Sequence, residues 1–133
     1  MTGLLFVDTS AWFALANRRD PDHRAARGAL ESFRGRLVTS NFVFDETVTL
    51  CLYRLGRDVA LRVGDELRVG GVVDLARTTA NDEAAAWDLF RNRADKEYSF
   101  TDCVSFVMMR RLGIERAAAF DDDFRREGFE VVP

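Results

Sequence analysis

Short, unbroken apolar runs alternate with longer stretches of helical period from one end of the chain to the other. Leu4-Leu5-Phe6-Val7 is a continuous apolar run, as expected for a strand covered on both faces, and Leu37-Val38-Thr39, Val72-Val73-Asp74-Leu75, Ala117-Ala118-Ala119-Phe120 and Phe129-Glu130-Val131-Val132 are short enough to be strands too. The intervals between them predict helices. The first runs from Ser10 to about Asn17. The second opens at Asp20-Pro21 and carries Ala25, Ala26, Ala29, Leu30 and Phe33 as its apolar stripe. A third is capped by Ser40 or Asn41 and stopped by Gly56, and a fourth runs from Asp58 to about Gly70. Asn81-Asp82-Glu83 starts a helix containing Trp87 and Phe90, and the last spans roughly Thr101 to Leu112. Five strands interleaved with helices imply a three-layer α/β/α sandwich around a five-stranded, mainly parallel sheet with right-handed crossovers. Ligands of such sheets sit beyond the carboxyl ends of the strands, where the strand order reverses. The residues that follow each strand therefore matter most.

Composition narrows the class. At 133 residues, residues 1–133 read as one domain. With 47% hydrophobic and 31% charged residues the chain is neither disordered nor fibrous. A net charge of -3 argues, taken alone, against a basic nucleic-acid binder. The cations are 18 Arg and a single Lys, Lys96, which permits bidentate phosphate binding without demonstrating it. Cys51 and Cys103 stand in apolar helical surroundings without metal-site spacing and read as buried free thiols of a reducing compartment. The start Met1-Thr2-Gly3 shows no export signal and no run of 18 apolar residues occurs, so a cytoplasmic protein without a membrane segment is expected.

Four acids stand out by position. Asp8 follows the first strand and Asp121 follows Ala117-Phe120, although either could be a turn or helix-cap residue. Glu46 has Phe42, Val43 and Leu50 as its helical neighbours, so its carboxylate leaves an apolar surface that should face the protein, whereas Asp45 turns toward Asn41 and Thr49 and reads as solvated. Asp102 opens an apolar helix, where the helix dipole favours an acid, and Ser99 or Thr101 could supply the cap and leave Asp102 free. If the four converged at about 6 Å, each pair would repel by roughly 3 kcal/mol. That requires either protonation or a divalent cation, and an all-oxygen set suits Mg²⁺ or Mn²⁺ better than Zn²⁺. His23, the only histidine, reads as a surface residue, and Ser10 has no nucleophile elbow around it.

In this order, Phe6-Val7-Asp8-Thr9-Ser10-Ala11-Trp12, Asp20-Pro21-Asp22-His23, Glu46, Tyr98-Ser99-Phe100-Thr101-Asp102 and Ala119-Phe120-Asp121-Asp122-Asp123-Phe124 resemble the PIN-domain family of metal-dependent nucleases. Within that family they resemble the VapC-type toxin ribonucleases of type II toxin-antitoxin systems. The resemblance implies a PIN-like sandwich with the first and fourth strands side by side. It implies Asp8, Glu46, Asp102 and Asp121 as catalytic metal-binding acids, Asp123 acting on the metal directly or through water, and Thr9 and Thr101 as supporting hydroxyls. The implied reaction is hydrolysis of an RNA phosphodiester with one or two Mg²⁺, for which Mn²⁺ can substitute. Arg18 and Arg19 are candidates for holding RNA, while Trp12 and Phe13 are base-stacking or core residues. A homodimer and a cognate antitoxin are implied as partners.

Two other classes compete. A PIN-like RNA-binding or protein-interaction module without turnover would not need all four acids. A small metal-dependent phosphatase or phosphoacceptor would use Asp8 as nucleophile, but Ser10 stands where a second Asp is expected and Lys96 precedes Asp102. The charge balance also reads differently once the four acids are set aside, leaving 18 acids against 19 bases. The negative charge then belongs to one pocket in an Arg-bearing body.

Overall fold

The computed structural model describes residues 3–133; Met1 and Thr2, on which the export reading partly rests, lie outside the described residues. The strands are β1 (Gly3–Val7), β2 (Gly35–Ser40), β3 (Val73–Ala76), β4 (Arg116–Ala118) and β5 (Glu130–Val132). They form one sheet in the order β3-β2-β1-β4-β5, and all four pairings are parallel. Leu5, Phe6 and Val7 are fully buried although successive side chains point to opposite faces, so helices must cover β1 on both sides. Ala117 and Ala118 of β4 and the run from Leu37 to Ser40 of β2 repeat the pattern. β2 opens at Gly35, whose φ of +150° and close approach to the backbone of Gly3 leave no room for a Cβ.

The helices are α1 (Thr9–Ala16), α2 (His23–Ser32), α3 (Asn41–Leu55), α4 (Arg57–Val69), α5 (Ala80–Asn92), α6 (Phe100–Leu112) and α7 (Asp123–Arg126). The expected stop at Gly56 ends α3, and Gly113 ends α6 in the left-handed conformation. α2 begins at His23 rather than at Pro21, and α7 occupies what the sequence reading left as an acidic turn. Ala26 and Leu30 bury the stripe of α2, while Ala25 is exposed. His23 is no plain surface residue: its Nδ1 lies 2.9 Å from the Ala14 carbonyl and ties α2 to α1.

Two buried carboxylates fasten the frame. Asp82, 2% exposed, closes the capping box of α5 with Thr79 and takes two 2.8 Å hydrogen bonds from Arg111 of α6, which hold its pKa below the ordinary range. Glu127, past α7, is held by Arg93 at 2.7 Å and Arg110 at 2.8 Å. Burial pushes its pKa up, but the two guanidinium groups bring it below the usual value. Cys51 and Cys103 are buried free thiols. Among the described residues no helix is long and apolar enough to cross a membrane.

Candidate active site

β1 and β4 are neighbours at the point where the strand order turns back, so the chain segments leaving them face each other across the carboxyl edge of the sheet. Asp8 leaves β1 there. Its backbone N–H donates to the Ala118 carbonyl at 3.0 Å, extending the ladder by one rung. Its side chain caps α1: Oδ2 accepts from the Ser10 N–H at 3.2 Å and from the Ser10 hydroxyl at 2.7 Å. The other oxygen, Oδ1, is buried and has no hydrogen-bond partner. Burial raises the pKa of Asp8 from 3.8 to about 7, the Ser10 hydroxyl works against that, and the charges of Asp121 and Asp102 add to it.

Asp102 sits in the first turn of α6. Ser99, not Thr101, is the cap, and Asp102 completes its capping box by accepting from the Ser99 N–H at 3.0 Å through Oδ2. The expectation that a separate cap would leave Asp102 wholly free is therefore corrected, because one oxygen is committed and Oδ1 remains. Its pKa is raised to about 6, first by burial and then, against the Ser99 hydrogen bonds, by Asp121 and Asp123. Asp121 lies three residues beyond the end of β4, since that strand stops at Ala118 rather than Phe120. Asp121 is an exposed residue, yet partial burial of its carboxyl is the first cause of its raised pKa, and Asp123 and Asp122 push the same way. Asp123 starts α7 and pairs with Arg126 at 3.2 Å.

The charges of Asp121 and Asp102 thus bear on Asp8, and those of Asp121 and Asp123 on Asp102. Among the described residues no three His, Cys, Asp or Glu side chains stand close enough together to hold a metal ion as they are placed. Glu46 lies in the second turn of α3, the helix that follows β2, and is not among the charges that bear on Asp8, Asp102 or Asp121. It is half-buried while Asp45 beside it is exposed, and Phe42, one turn earlier, packs edge-on against Phe100 at the start of α6 at 5.8 Å. The Thr9 hydroxyl is buried against Thr47 of α3 at 3.5 Å. Thr101 contributes its carbonyl to the Ser105 hydroxyl.

Sequence reasoning passed over Ser10 because it was weighed only as a nucleophile. Its hydroxyl donates to Asp8 and accepts from the Phe120 N–H at 3.1 Å. It is the hinge between the ends of β1 and β4. An acid at a helix cap followed two residues later by Ser carries the signal that could have found it. If Asp8 holds a metal ion, Ser10→Ala should lower RNA cleavage by about 10- to 100-fold, the scale for losing a group that orients a metal ligand. A Mg²⁺ titration of the cleavage rate checks this, and Ser10→Thr should recover most of the loss.

Arg18 and Arg19 are exposed beyond the far end of α1, about 12 Å along that helix from Asp8. The structure does not bring them to the acids. Trp12 is no stacking residue: it is 6% exposed and its indole N–H donates to the buried Thr39 hydroxyl at 3.2 Å.

A parallel five-stranded α/β/α sandwich with acids gathered beyond its central strands defines the class. The PIN domain model matches residues 5–130, and the chain belongs to the PIN-domain family. More particularly, it is a VapC-type ribonuclease of that family. It is 41% identical over 131 residues to the 23S rRNA-specific endonuclease VapC20 of Mycobacterium tuberculosis, covering 98% of this chain and 99% of that one. The VapC ribonuclease of Archaeoglobus fulgidus is 30% identical, with 89% of this chain and 77% of that protein covered. The crystal structure of the Mycobacterium tuberculosis VapC20 sarcin-ricin loop cleaving toxin superimposes with a TM-score of 0.93 at 40% identity, over 98% of this chain and 100% of that one. A toxin-antitoxin complex from Klebsiella pneumoniae shares the fold at a TM-score of 0.68 and 13% identity, over 97% of this chain and 96% of that one.

Proposed function

We propose that this chain cleaves a phosphodiester in the sarcin-ricin loop of 23S ribosomal RNA, at a Mg²⁺ site formed by Asp8, Glu46, Asp102 and Asp121, with Asp123 acting through water. The observation that carries the site is the Asp8 Oδ1 oxygen. It is buried at the carboxyl edge of the sheet without a partner, while the charges of Asp121 and Asp102 press on the same group. A buried carboxylate oxygen without a donor is costly unless a cation takes it, and oxygen-only donors suit Mg²⁺, with Mn²⁺ as substitute. A bound divalent cation supplies charge neutralisation at the scissile phosphate and a water acidic enough to attack it.

The chain's own residues prepare that chemistry. Ser10 holds Oδ2 of the Asp8 carboxylate and leaves Oδ1 without a partner. The Ser99 capping box fixes Asp102 on a rigid helix in the same way. Thr9 and Thr101, each beside one of these acids, are the supporting hydroxyls. Arg126 places a guanidinium at the acidic rim, and Arg18 and Arg19 would hold RNA backbone well away from the scissile bond. As the toxin of a pair, the protein works in the cytoplasm as a homodimeric single-domain enzyme that a cognate antitoxin silences.

The test is incubation of purified protein, freed of any copurifying antitoxin, with 23S ribosomal RNA in Mg²⁺ or EDTA. Cleavage at one position in Mg²⁺ and none in EDTA is expected. Intact RNA in Mg²⁺ overturns the reading. Release of phosphate from small esters with RNA untouched would point to the phosphatase alternative instead.

A further inference from the structure

We propose that the cavity beside the start of α6 receives an unpaired base of the RNA substrate, stacked on Trp87 and Phe90, with its flanking phosphates on Arg91 and Lys96. The proposal rests on the RNA-cleaving reading above and adds a specificity site to it. The cavity, about 600 Å³, is lined by Trp87, Phe90, Arg91, Arg93, Lys96 and Tyr98, with Glu97 its one acid. Trp87 is 51% exposed and Phe90 42%, yet their rings already stack at 5.7 Å and 23°. Two large aromatic faces left in water beside three cations have the chemistry of a single-stranded nucleic-acid platform, in which rings take bases and cations take backbone. Lys96 and Arg93 already have acids in Asp95 and Glu127. Arg91 is exposed and forms none of the ion pairs among the described residues.

This platform joins the acids directly. Phe100 packs edge-on against Trp87 at 6.1 Å, Phe90 at 6.4 Å and Phe42 at 5.8 Å. It is the first residue of α6, whose first turn carries Asp102, and Phe42 lies one turn before Glu46 on α3. Tyr98, in the cavity wall, adjoins the Ser99 cap that holds Asp102. A base seated on Trp87 therefore puts the next stretch of its backbone against the carboxylates. A second copy of the chain could also cover two aromatic rings, but it has no need of a free Arg91 beside them.

Tryptophan fluorescence separates the cases, because Trp12 is 6% exposed and Trp87 51%, so quenching by added RNA reports Trp87. In EDTA, where nothing is cut, oligoadenylate should quench the wild-type protein to saturation, and an abasic oligomer with the same phosphates should not. Trp87→Ala and Phe90→Ala should weaken oligoadenylate binding, read by anisotropy, by about 5- to 100-fold. Trp87→Phe should restore most of it, and Arg91→Ala should weaken both oligomers alike. Absent quenching, or wild-type affinity in Trp87→Ala, overturns the proposal. So does sedimentation showing that Trp87→Ala breaks a dimer while base binding persists. The two readings fail separately: loss of Mg²⁺-dependent cleavage in the wild type sinks the nuclease and leaves the quenching result standing, whereas full cleavage by Trp87→Ala sinks only the base pocket.

Discussion

If Asp102 belongs to the catalytic unit as proposed, Asp102→Asn will reduce RNA cleavage by on the order of 10³-fold or more, the scale for removing one member of such a unit, and the protein will stay folded. The Asp102 oxygen that closes the capping box accepts from the Ser99 N–H at 3.0 Å, and an asparagine amide oxygen can accept the same bond. What the substitution removes is the charge that, with Asp121, bears on Asp8. Glu46→Gln should fall nearly as far. Asp45→Asn is the control, since it alters the adjacent acid of the same helix, which is exposed where Glu46 is half-buried. Single-turnover cleavage in Mg²⁺, with thermal melts for each variant, measures all three. Asp102→Asn cutting at the wild-type rate, or Asp45→Asn losing as much as Glu46→Gln, would remove these acids from the mechanism.

The central strands were legible because they are buried on both faces, and double burial writes itself as an unbroken apolar run such as Leu5 to Val7. Strand ends were not. Ala119 and Phe120 look like strand, but the Phe120 N–H goes to the Ser10 hydroxyl rather than into the ladder. α7 escaped because four residues are too few to show a helical period. The spacing of Ser99 and Asp102 is itself a capping-box pattern, so the partial commitment of Asp102 was readable and was passed over. The clamp on Glu127 was not readable at all, because its partners Arg93 and Arg110 lie 34 and 17 residues away and meet it only through the fold. In the same way, Trp12 and Trp87 are both aromatic positions in helices, and only packing sends one into the core and leaves the other half in water.

Without divalent cations, stability will fall as the pH rises from about 5 to about 8, and Mg²⁺ will reverse the trend. Asp8 titrates near 7 and Asp102 near 6 in the folded protein, both raised first by burial from 3.8. Folding pKa values above the unfolded ones mean that the native state holds protons the unfolded chain has already released. That contribution is fully present below about pH 4 and is lost as the pH climbs through 6 and 7. For Asp8 alone the displacement from 3.8 to about 7 corresponds to about 4 kcal/mol, enough to move the melting midpoint by on the order of 10 °C at this size. Asp74 and Asp82, whose pKa values are lowered by Arg36 and Arg111, stay ionised above about pH 5 in both states and leave this window undisturbed. Metal ligands must be deprotonated, so Mg²⁺ affinity should rise with pH across the same interval, and its binding then stabilises the fold by mass action. Asp8→Asn should flatten the EDTA curve, melt above wild type at about pH 8 and gain little from Mg²⁺. Calorimetric melts from about pH 5 to 8, in EDTA and in Mg²⁺, decide it. A midpoint in EDTA that stays level or rises would mean that the Asp8 carboxylate is not the strained group its buried, partnerless oxygen makes it.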